Sequence, residues 1–477
     1  MCRSMAGSVL GEKVLRKEDP RFLTTGGVYM DDLRDPRLEG AVWVAFARSP
    51  VAHGTIQSID TADAKQMPGV VAVYTAEDLG MEPVPSAYNP NVARTLLASG
   101  KVRWVGEPVV AVLAETYEQA VDAAEAVLID IDPLPAITSV QQALTTTDVL
   151  IYEGAGSNVV FDSNFMGGKD NTGDAFFEGC EVVVREEVMN QRVAPCPMEP
   201  RGAAAAWVDG RLHVWISTQH AQGALEPIAK VSGVAKEQVR IITPDVGGGF
   251  GAKIGAYSEE LMIGALAKAV GRPVRFRETR SESMMNLGHG RAQHQRIAVG
   301  GTRDGKVTHL QLELTQDAGG YCEIGTILGA LFTRGMASAV YDIPNIETHC
   351  YSVVTNTTPV VAYRGAGRPE ATAAAERAMD LFAAEIGMDP VEVRRKNLIP
   401  KFTEPHQTAA GQTYDVGDYA ASLDKALEAA GYAELRAEQQ RRRAAGETKQ
   451  LGIGVSVYVE ITGGAPPMNE AGKVEIH

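Results

Sequence analysis

Cysteines, aromatic residues and long apolar runs are all scarce in this sequence. Its 477 residues include five cysteines, and aromatic residues make up 6%. The cysteines lie far apart without any CxxC spacing, so the sequence predicts no zinc knuckle and no local iron–sulfur ligand set. An odd, scattered set of cysteines is typical of reduced thiols and indicates a cytoplasmic protein.

Three further absences narrow the function. No apolar run approaches the ~20 residues of a membrane-spanning helix, so no membrane span is expected. No basic block accompanies the formal net charge of −15, and a nucleic-acid partner is not expected, because a phosphate backbone needs a clustered positive face. The histidines are dispersed, and His289 and His294 are not spaced to share a helix face as zinc-binding pairs do. A bound metal would therefore need to be held by an organic cofactor.

Apolar runs alternate with a helical pattern in the first part of the chain. Runs that predict strands lie at residues 41–46, 69–74, 108–114 and 127–133; the first two fit buried strands, and the last alternates between apolar and polar residues. Residues 117–126 carry alanines at the i, i+3 and i+4 spacing of one helical face. The sequence predicts a compact α+β domain over residues 1–145, followed by a polar, Gly- and Asn-rich linker over residues 146–174.

Hairpin and helix patterns dominate the rest of the chain. Asp209-Gly210 and Asp304-Gly305 each lie between two apolar runs, which is typical of a tight β-hairpin. Helical patterns cover residues 257–270, 369–386, 390–396, 418–431 and 432–445. We predict a mixed α+β domain over residues 175–405.

The last segment, residues 406–477, predicts the beginning of another mixed domain. Its patterns predict a strand at residues 453–461 and a second strand at residues 474–477. Because that second strand would stop at His477, we expect this domain to be incomplete. An unpaired strand edge favours aggregation, so we expect the chain to need a partner.

The segment DVGGGFGAK, residues 245–253, is the richest local motif. It follows an apolar strand and precedes a helix, and a glycine-rich turn in that position can offer backbone N–H groups to an anion or a polar oxygen. It is not a Walker loop, because Ile254 follows the lysine. Two alternatives stay open: a dinucleotide-binding turn of the G-x-G-x-x-A type that begins at Gly247, and a tight turn that packing alone requires.

Other motifs accompany this turn in a fixed order. They are Met198-Glu199-Pro200-Arg201, Ser217-Thr218-Gln219, Asp317-Ala318-Gly319-Gly320-Tyr321, the segment AYRGAGRP at residues 362–369, and VEVRRKN at residues 391–397. Together they resemble the molybdopterin-binding subunit of the xanthine dehydrogenase/aldehyde oxidase family, over nearly the whole chain. The first domain is similar to the family's α/β hammerhead domain, with Gly106-Glu107-Pro108-Val109 in its usual strand.

The resemblance implies a molybdenum atom that is held by the dithiolene of a pterin and by no protein atom. The cofactor would be molybdopterin, in a cytosine dinucleotide form. The implied contacts are a hydrogen bond from Gln219 to the oxo ligand, backbone N–H groups from the turn at Phe250 and Gly251, and Arg364 facing the molybdenum and pterin. Gly248 and Gly249 are implied as further cofactor-binding residues. These groups would stabilise an oxygen that gains charge.

The family's reaction is oxidative hydroxylation with oxygen from water. Electrons leave through iron–sulfur clusters to a flavin, so the resemblance implies an iron–sulfur small subunit and an FAD medium subunit in a dimer of heterotrimers. The family's base is a Glu near the end of the large subunit. We therefore expect that Glu beyond His477 and assign no catalytic base to this chain.

Two positions bear on the substrate. Purine hydroxylases of the family carry an acid directly after the loop lysine, where this chain has Ile254. Carbon monoxide dehydrogenases carry a cysteine directly after the loop arginine, where this chain has Gly365. We therefore predict an aldehyde or N-heteroaromatic substrate. The alternatives are a truncated, non-catalytic scaffold or assembly fragment of the family, and an NAD-dependent dehydrogenase that uses the turn at Gly247.

Overall fold

The computed structural model describes residues 13–166 and 173–460. The strands are β1 Val42–Arg48, β2 Gly54–Asp60, β3 Val70–Tyr74, β4 Lys101–Val102, β5 Pro108–Ala114, β6 Leu128–Pro133, β7 Val159–Asp162, β8 Val182–Asn190, β9 Gly202–Val208, β10 Arg211–Ile216, β11 Val239–Ile242, β12 Val274–Arg277, β13 Gln293–Gly301, β14 Val307–Gly319, β15 Asn345–Val354, β16 His406–Gln407 and β17 Thr413–Tyr414. The α-helices are α1 Asp19–Thr24, α2 Ala62–Gln66, α3 Ala76–Leu79, α4 Tyr117–Glu125, α5 Val140–Thr145, α6 Ala221–Val231, α7 Ser258–Val270, α8 Arg280–Asn286, α9 Ile324–Gly335, α10 Arg368–Ile386, α11 Pro390–Asn397, α12 Tyr419–Ala430 and α13 Tyr432–Ala444. Within the described ranges, no helix combines the length and the apolar character that crossing a bilayer requires.

A seven-stranded sheet joins the first part of the chain to the second. Its order is β11-β10-β9-β12-β1-β5-β3. The junction is the parallel pair of β1 and β12, in which Val42 lies opposite Val274. Apolar side chains from both parts, such as Val44 and Leu261, share one buried cluster beneath this sheet. The sheet is thus continuous across residue 145, where the sequence predicts a domain boundary, and the domain limits stay a prediction.

A five-stranded sheet, β7-β15-β14-β13-β8, forms the second layer of strands. Helices α9 and α10 pack against it around a core that includes Leu312, Met379 and Phe382. Part of the segment predicted as a linker is a strand of this sheet, because β7 pairs with β15 and places Phe161 opposite Ser352. Its apolar run of three residues is too short to stand out from the polar sequence around it.

Most of the predicted elements are present. Both hairpins form at Asp209-Gly210 and Asp304-Gly305, and α4 buries the three alanines of its predicted inner face. Helices α7 and α10 end at Gly271 and Gly387, which adopt left-handed conformations. The strand β2 was not predicted, because its sequence GTIQSID is mostly polar.

The predicted strand at residues 453–461 is wrong for its described part. Residues 453–460 join no sheet, and the backbone N–H of Val457 donates instead to Glu376 Oε2 at 3.1 Å. Its apolar alternation is satisfied by packing, since Val455, Val457 and Val459 contact the core beneath α10. Residue 461 and the predicted strand at residues 474–477 lie outside the described residues.

A buried cluster of charges lies where the two parts of the seven-stranded sheet meet. Arg48 on β1 donates to Glu259 on α7 at 2.8 Å and to Glu282 on α8 at 3.0 Å. Arg201, just before β9, donates to Glu259 at 2.9 Å and to Glu278 at 2.6 Å. Such a cluster fixes the relative position of its elements, because moving one partner leaves a charge buried and unpaired.

Glu260 is a further buried carboxyl beside this cluster. Its Oε2 accepts the backbone N–H of Tyr257 at 2.8 Å. Burial raises the pKa of Glu260 to about 7, although the charge of Arg201 acts in the opposite direction. The folded chain therefore keeps this proton between about pH 4.5 and pH 7, where the unfolded chain has lost it. Stability is lost as the pH rises through that window.

We predict that Glu260→Gln stabilises the chain at neutral pH. The amide keeps an acceptor for the Tyr257 N–H and carries no charge, so its advantage over the wild type grows with pH. The raised pKa of Glu260 corresponds to a difference in the free energy of unfolding of about 3 kcal/mol above pH 7 and of almost nothing near pH 4.5. Urea unfolding of both proteins at several pH values measures it. An advantage that does not change with pH would contradict this explanation.

Candidate functional site

The glycine loop, residues 247–253, connects β11 to the segment before α7. Gly248 and Gly251 have φ values of 102° and 100°, and Phe250 has a φ of 55°. A Cβ atom on Gly251 would lie 2.6 Å from the carbonyl oxygen of Ala362. The loop therefore needs glycine at this position both for its backbone conformation and for the close approach of a second segment.

The strands around this loop do not form a dinucleotide-binding fold. In such a fold the strand after the helix lies parallel to the strand before the turn and directly beside it. Here β10 and β9 lie between β11 and β12, and β9 is antiparallel to both of its neighbours. The interpretation of residues 247–252 as a dinucleotide turn therefore lacks its structural context.

Several amides of the glycine loop already have acceptors. Gly247 N donates to Glu199 Oε2 at 2.8 Å, Gly251 N to Gln219 Oε1 at 2.8 Å, Ala252 N to Gly249 O at 2.9 Å and Lys253 N to Gln219 Oε1 at 3.2 Å. The Gly251 N–H is thus engaged inside the protein. The predicted contact between this N–H group and a cofactor stays a prediction.

Three consecutive amides, those of Gly248, Gly249 and Phe250, donate to no acceptor in the part of the chain that is described. Phe250 is exposed and Gly248 is half-buried, whereas Gly249 is buried. An unpaired N–H in a buried residue is rare, because it has lost its water without gaining a partner. These three N–H groups form a donor row suited to an external oxygen or anion.

Gln219 lies beside this row, three residues after the end of β10. Its backbone N–H donates to Lys253 O at 2.8 Å. Its Oε1 accepts the amides of Gly251 and Lys253, which fixes the orientation of its side-chain amide. Its Nε2 has no hydrogen bond to any described residue, and the residue is exposed. Two donor hydrogens are therefore available next to the loop.

Arg364 reaches the glycine loop from a distant part of the sequence. Its backbone N–H donates to Phe250 O at 2.8 Å, and its carbonyl oxygen accepts Arg291 Nη2 at 2.8 Å. Its guanidinium is exposed and forms no hydrogen bond or ion pair within the described ranges. The structure thus brings Gln219, the glycine loop and Arg364 together, and their roles at a cofactor stay a prediction.

The groups that converge here are all donors. They comprise three backbone N–H groups, a side-chain amide NH₂ and a guanidinium. Such a set suits a ligand with several oxygen acceptors and negative charge. Within residues 13–166 and 173–460, no three His, Cys, Asp or Glu residues are grouped so that they could hold a metal ion.

The sequence did not reveal the polar network beneath the loop. Lys253 is buried, and its Nζ donates to Glu199 O at 2.8 Å, Ser217 Oγ at 2.9 Å and Glu199 Oε2 at 3.2 Å. Burial lowers the pKa of Lys253, against the opposing effect of Glu199. Glu199 and Ser217 appeared in the sequence only as parts of motifs. A lysine is usually exposed, and nothing in its neighbours signals burial.

Burial raises the pKa of Glu107 to about 7, a value that suits a catalytic base. Its carboxylate is enclosed, however, with 1% of the residue exposed. It accepts the backbone N–H of Arg103 at 2.6 Å and the hydroxyl of Thr95 at 3.1 Å. A base must reach a substrate, so Glu107 is a structural carboxyl.

Two family models match the chain. Residues 24–135 match the aldehyde oxidase and xanthine dehydrogenase a/b hammerhead domain. Residues 151–398 match the molybdopterin cofactor-binding domain. The second match contains every residue of the site described above.

Individual relatives resemble the chain over most of its length. It is 34% identical to the carbon monoxide dehydrogenase large chain of Hydrogenophaga pseudoflava, over 97% of this chain and 60% of that protein. It is 32% identical to the nicotine 6-hydroxylase large subunit of Paenarthrobacter nicotinovorans, over 97% of this chain and 57% of that one. The solved quinoline 2-oxidoreductase from Pseudomonas putida 86 superposes with a TM-score of 0.84 at 31% identity, over 91% of this chain and 56% of that chain. The chain thus spans 56–60% of the length of these relatives.

We predict that Gly251→Ala destabilises the chain more than Gly271→Ala does. Both glycines have positive φ, but a Cβ on Gly271 meets nothing within 4 Å, so that variant isolates the backbone strain of about 1 kcal/mol. At Gly251 the contact with Ala362 O adds to it, for a total of about 3 kcal/mol. Chemical denaturation of both variants measures the difference. If both variants lose the same stability, the loop can move away from Ala362 without cost, which would contradict this prediction.

Proposed function

The chain belongs to the molybdopterin-binding large subunits of the xanthine dehydrogenase/aldehyde oxidase family, and from this premise we propose that it contributes the cofactor site of a molybdenum hydroxylase. In this proposal the enzyme oxidises an aldehyde or an N-heteroaromatic compound with oxygen from water. The observation that carries the proposal is the donor row of Gly248, Gly249 and Phe250, with Gln219 Nε2 and the Arg364 guanidinium beside it. The cofactor would be molybdopterin, in a cytosine dinucleotide form.

The residues present fit such a group. The three loop amides would donate to its oxygen atoms, and the N–H group of the buried residue Gly249 would gain the acceptor that it lacks among the described residues. Gln219 would donate from Nε2 while its Oε1 stays fixed by two amides. The Arg364 guanidinium would offset negative charge. When bound, the cofactor supplies the two-electron redox chemistry, and these donors need no reorganisation as charge develops.

Electron transfer and the general base are proposed to lie outside the described residues. The scattered cysteines offer no cluster ligands, so iron–sulfur clusters would reside on a small partner subunit and FAD on a medium one, in a cytoplasmic dimer of heterotrimers. The names of relatives as a large chain or large subunit support such a division. We assign the base to no described residue.

Two features support the choice of substrate. Gly365 has a φ of 90°, and a Cβ there would lie 2.8 Å from Pro369 Cδ, so a cysteine at this position would be strained. That geometry disfavours copper-dependent carbon monoxide chemistry. Ile254 places an apolar, half-buried side chain where purine hydroxylases carry an acid. The names nicotine 6-hydroxylase and quinoline 2-oxidoreductase belong to relatives whose named compounds are N-heteroaromatic.

Molybdenum per large-subunit chain, measured in protein from its native source, tests the function. A ratio near one supports an enzyme whose site is completed in the cell. A ratio near zero in a folded chain would overturn the proposal in favour of a cofactor-free scaffold or assembly protein.

Steady-state kinetics of the purified complex tests the substrate class. We expect the highest kcat/KM for an aldehyde or an N-heteroaromatic compound, because the chain lacks both the acid and the cysteine discussed above. The panel includes xanthine and carbon monoxide. If either of these is the best substrate, the assignment of substrate is wrong.

Gln219→Glu separates the two functions of this side chain. The carboxylate keeps the acceptor for Gly251 N and Lys253 N, so the melting temperature stays close to that of the wild type. It removes the Nε2 donor and adds a charge, and kcat is expected to fall about 100-fold or more. Gln66→Glu, on the exposed face of α2, adds the same charge far from the site and serves as the control. Unchanged turnover in Gln219→Glu would remove Gln219 from the proposed site.

A further inference from the structure

One carboxylate holds both ends of the glycine loop. Glu199 Oε2 accepts the backbone N–H of Gly247, the first residue of the loop, at 2.8 Å. The same oxygen accepts Nζ of Lys253, the last residue of the loop, at 3.2 Å. It also accepts the hydroxyl of Ser217 at 2.6 Å. We call these three contacts the Glu199 bridge.

The Glu199 bridge is reinforced by the backbone. Glu199 N donates to Gly247 O at 3.1 Å, so the two residues exchange hydrogen bonds in both directions. A Cβ on Gly247 would lie 2.5 Å from Glu199 Cβ, so the loop packs closely against this residue. The other carboxylate oxygen, Oε1, accepts Met30 N at 3.3 Å. Four donors therefore converge on a carboxylate whose side chain is 13% exposed.

Lys253 depends on this carboxylate for its charge balance. Its side chain is 1% exposed, and Glu199 is its only ion-pair partner within the described ranges. Removing the negative charge would leave a buried ammonium without compensation, which is strongly unfavourable. Either Lys253 would lose its proton or the end of the loop would move toward water.

The bridge also reaches the strand end that carries Gln219. Ser217 lies two residues before Gln219, and the hydroxyl of Thr218 between them donates to Lys253 O at 2.9 Å. The loop and the strand end therefore share one anchor. The distance between Gln219 Nε2 and the donor row depends on that anchor.

We propose that Glu199 is a positioning residue of this site. Through Gly247, Lys253 and Ser217 it fixes the glycine loop against Gln219, so that the amides of residues 248–250 stay directed away from the protein. Its importance for the cofactor rests on the proposed function, whereas the fixing of the loop is a property of the polypeptide itself.

Hydrogen–deuterium exchange of the complex, purified from a host that makes the cofactor, tests the proposal. In Glu199→Gln the hydrogen-bonded amides of Gly247, Gly251 and Lys253 are expected to exchange at least about 10-fold faster, because the buried charge pair is lost. The kcat of the molybdenum-containing fraction is expected to fall more than KM rises, since the donors lose their alignment.

Glu376→Gln is the matched control. Glu376 is also a buried carboxylate, and it accepts Arg394 Nε at 2.9 Å, Val457 N at 3.1 Å and the hydroxyl of Tyr341. It belongs to the other core, beneath the five-stranded sheet. This variant is expected to lower the melting temperature without accelerating exchange in residues 247–253.

Lys253→Met supplies a second, independent variant. It removes the ammonium and keeps an unbranched side chain. We expect it to accelerate hydrogen–deuterium exchange at the same amides. The double variant Glu199→Gln/Lys253→Met is expected to accelerate them no more than the stronger single variant, because both changes break one bridge. Additive acceleration would contradict a shared anchor.

The outcomes distinguish the two proposals. Faster loop exchange in Glu199→Gln, together with a lower kcat of its molybdenum-containing fraction, supports both proposals. Faster exchange in a chain whose wild type never carries molybdenum supports the positioning role and overturns the proposed function. Loop exchange equal to that of the wild type, or an equal acceleration in Glu376→Gln, overturns the positioning role whatever the molybdenum content.

Discussion

The pairing of Arg201 with Glu259 and Glu278 is the interaction on which the rest of this structure depends. The guanidinium of Arg201 has no exposure, so its charge must be matched inside the protein. Glu259 in turn binds Arg48 on β1, which anchors the first part of the chain. Arg201 also lies over the ring of Tyr257, with its Cζ 4.2 Å from the ring centroid. A buried network of this kind specifies one arrangement more than it adds stability.

Tyr257 carries this constraint to the glycine loop. Its hydroxyl donates to Ala252 O at 2.7 Å and accepts Gly288 N at 3.0 Å. On its other side the loop is held by Glu199, two residues before Arg201 in the sequence. The buried charges that link β1 to α7 and to Arg201 therefore also help to hold the glycine loop in place. The loop keeps its unusual backbone because the structure on both sides leaves it no alternative.

Short-range patterns were enough to predict much of this fold. The alanine spacing of α4 and the Asp-Gly turns of both hairpins depend on local chemistry, and both are present. The sequence did not predict the strands β7 and β2. The apolar run of β7 is short and lies within a polar segment, and β2 is mostly polar. The apolar alternation of residues 453–460 was misleading, because packing under α10 satisfies it as well as a strand would.

The sequence by itself determined the glycine-rich turn, the motifs around Gln219 and Arg364, and the family resemblance, because these reside in contiguous residues. Only the tertiary structure decided which loop amides are free, since Gln219 Oε1 occupies Gly251 N and leaves the donor row of Gly248, Gly249 and Phe250 open. It also decided that Lys253 is buried against Glu199. Hydrogen bonds between residues 30 to 50 positions apart depend on how the strands are brought together, and no local pattern encodes that distance.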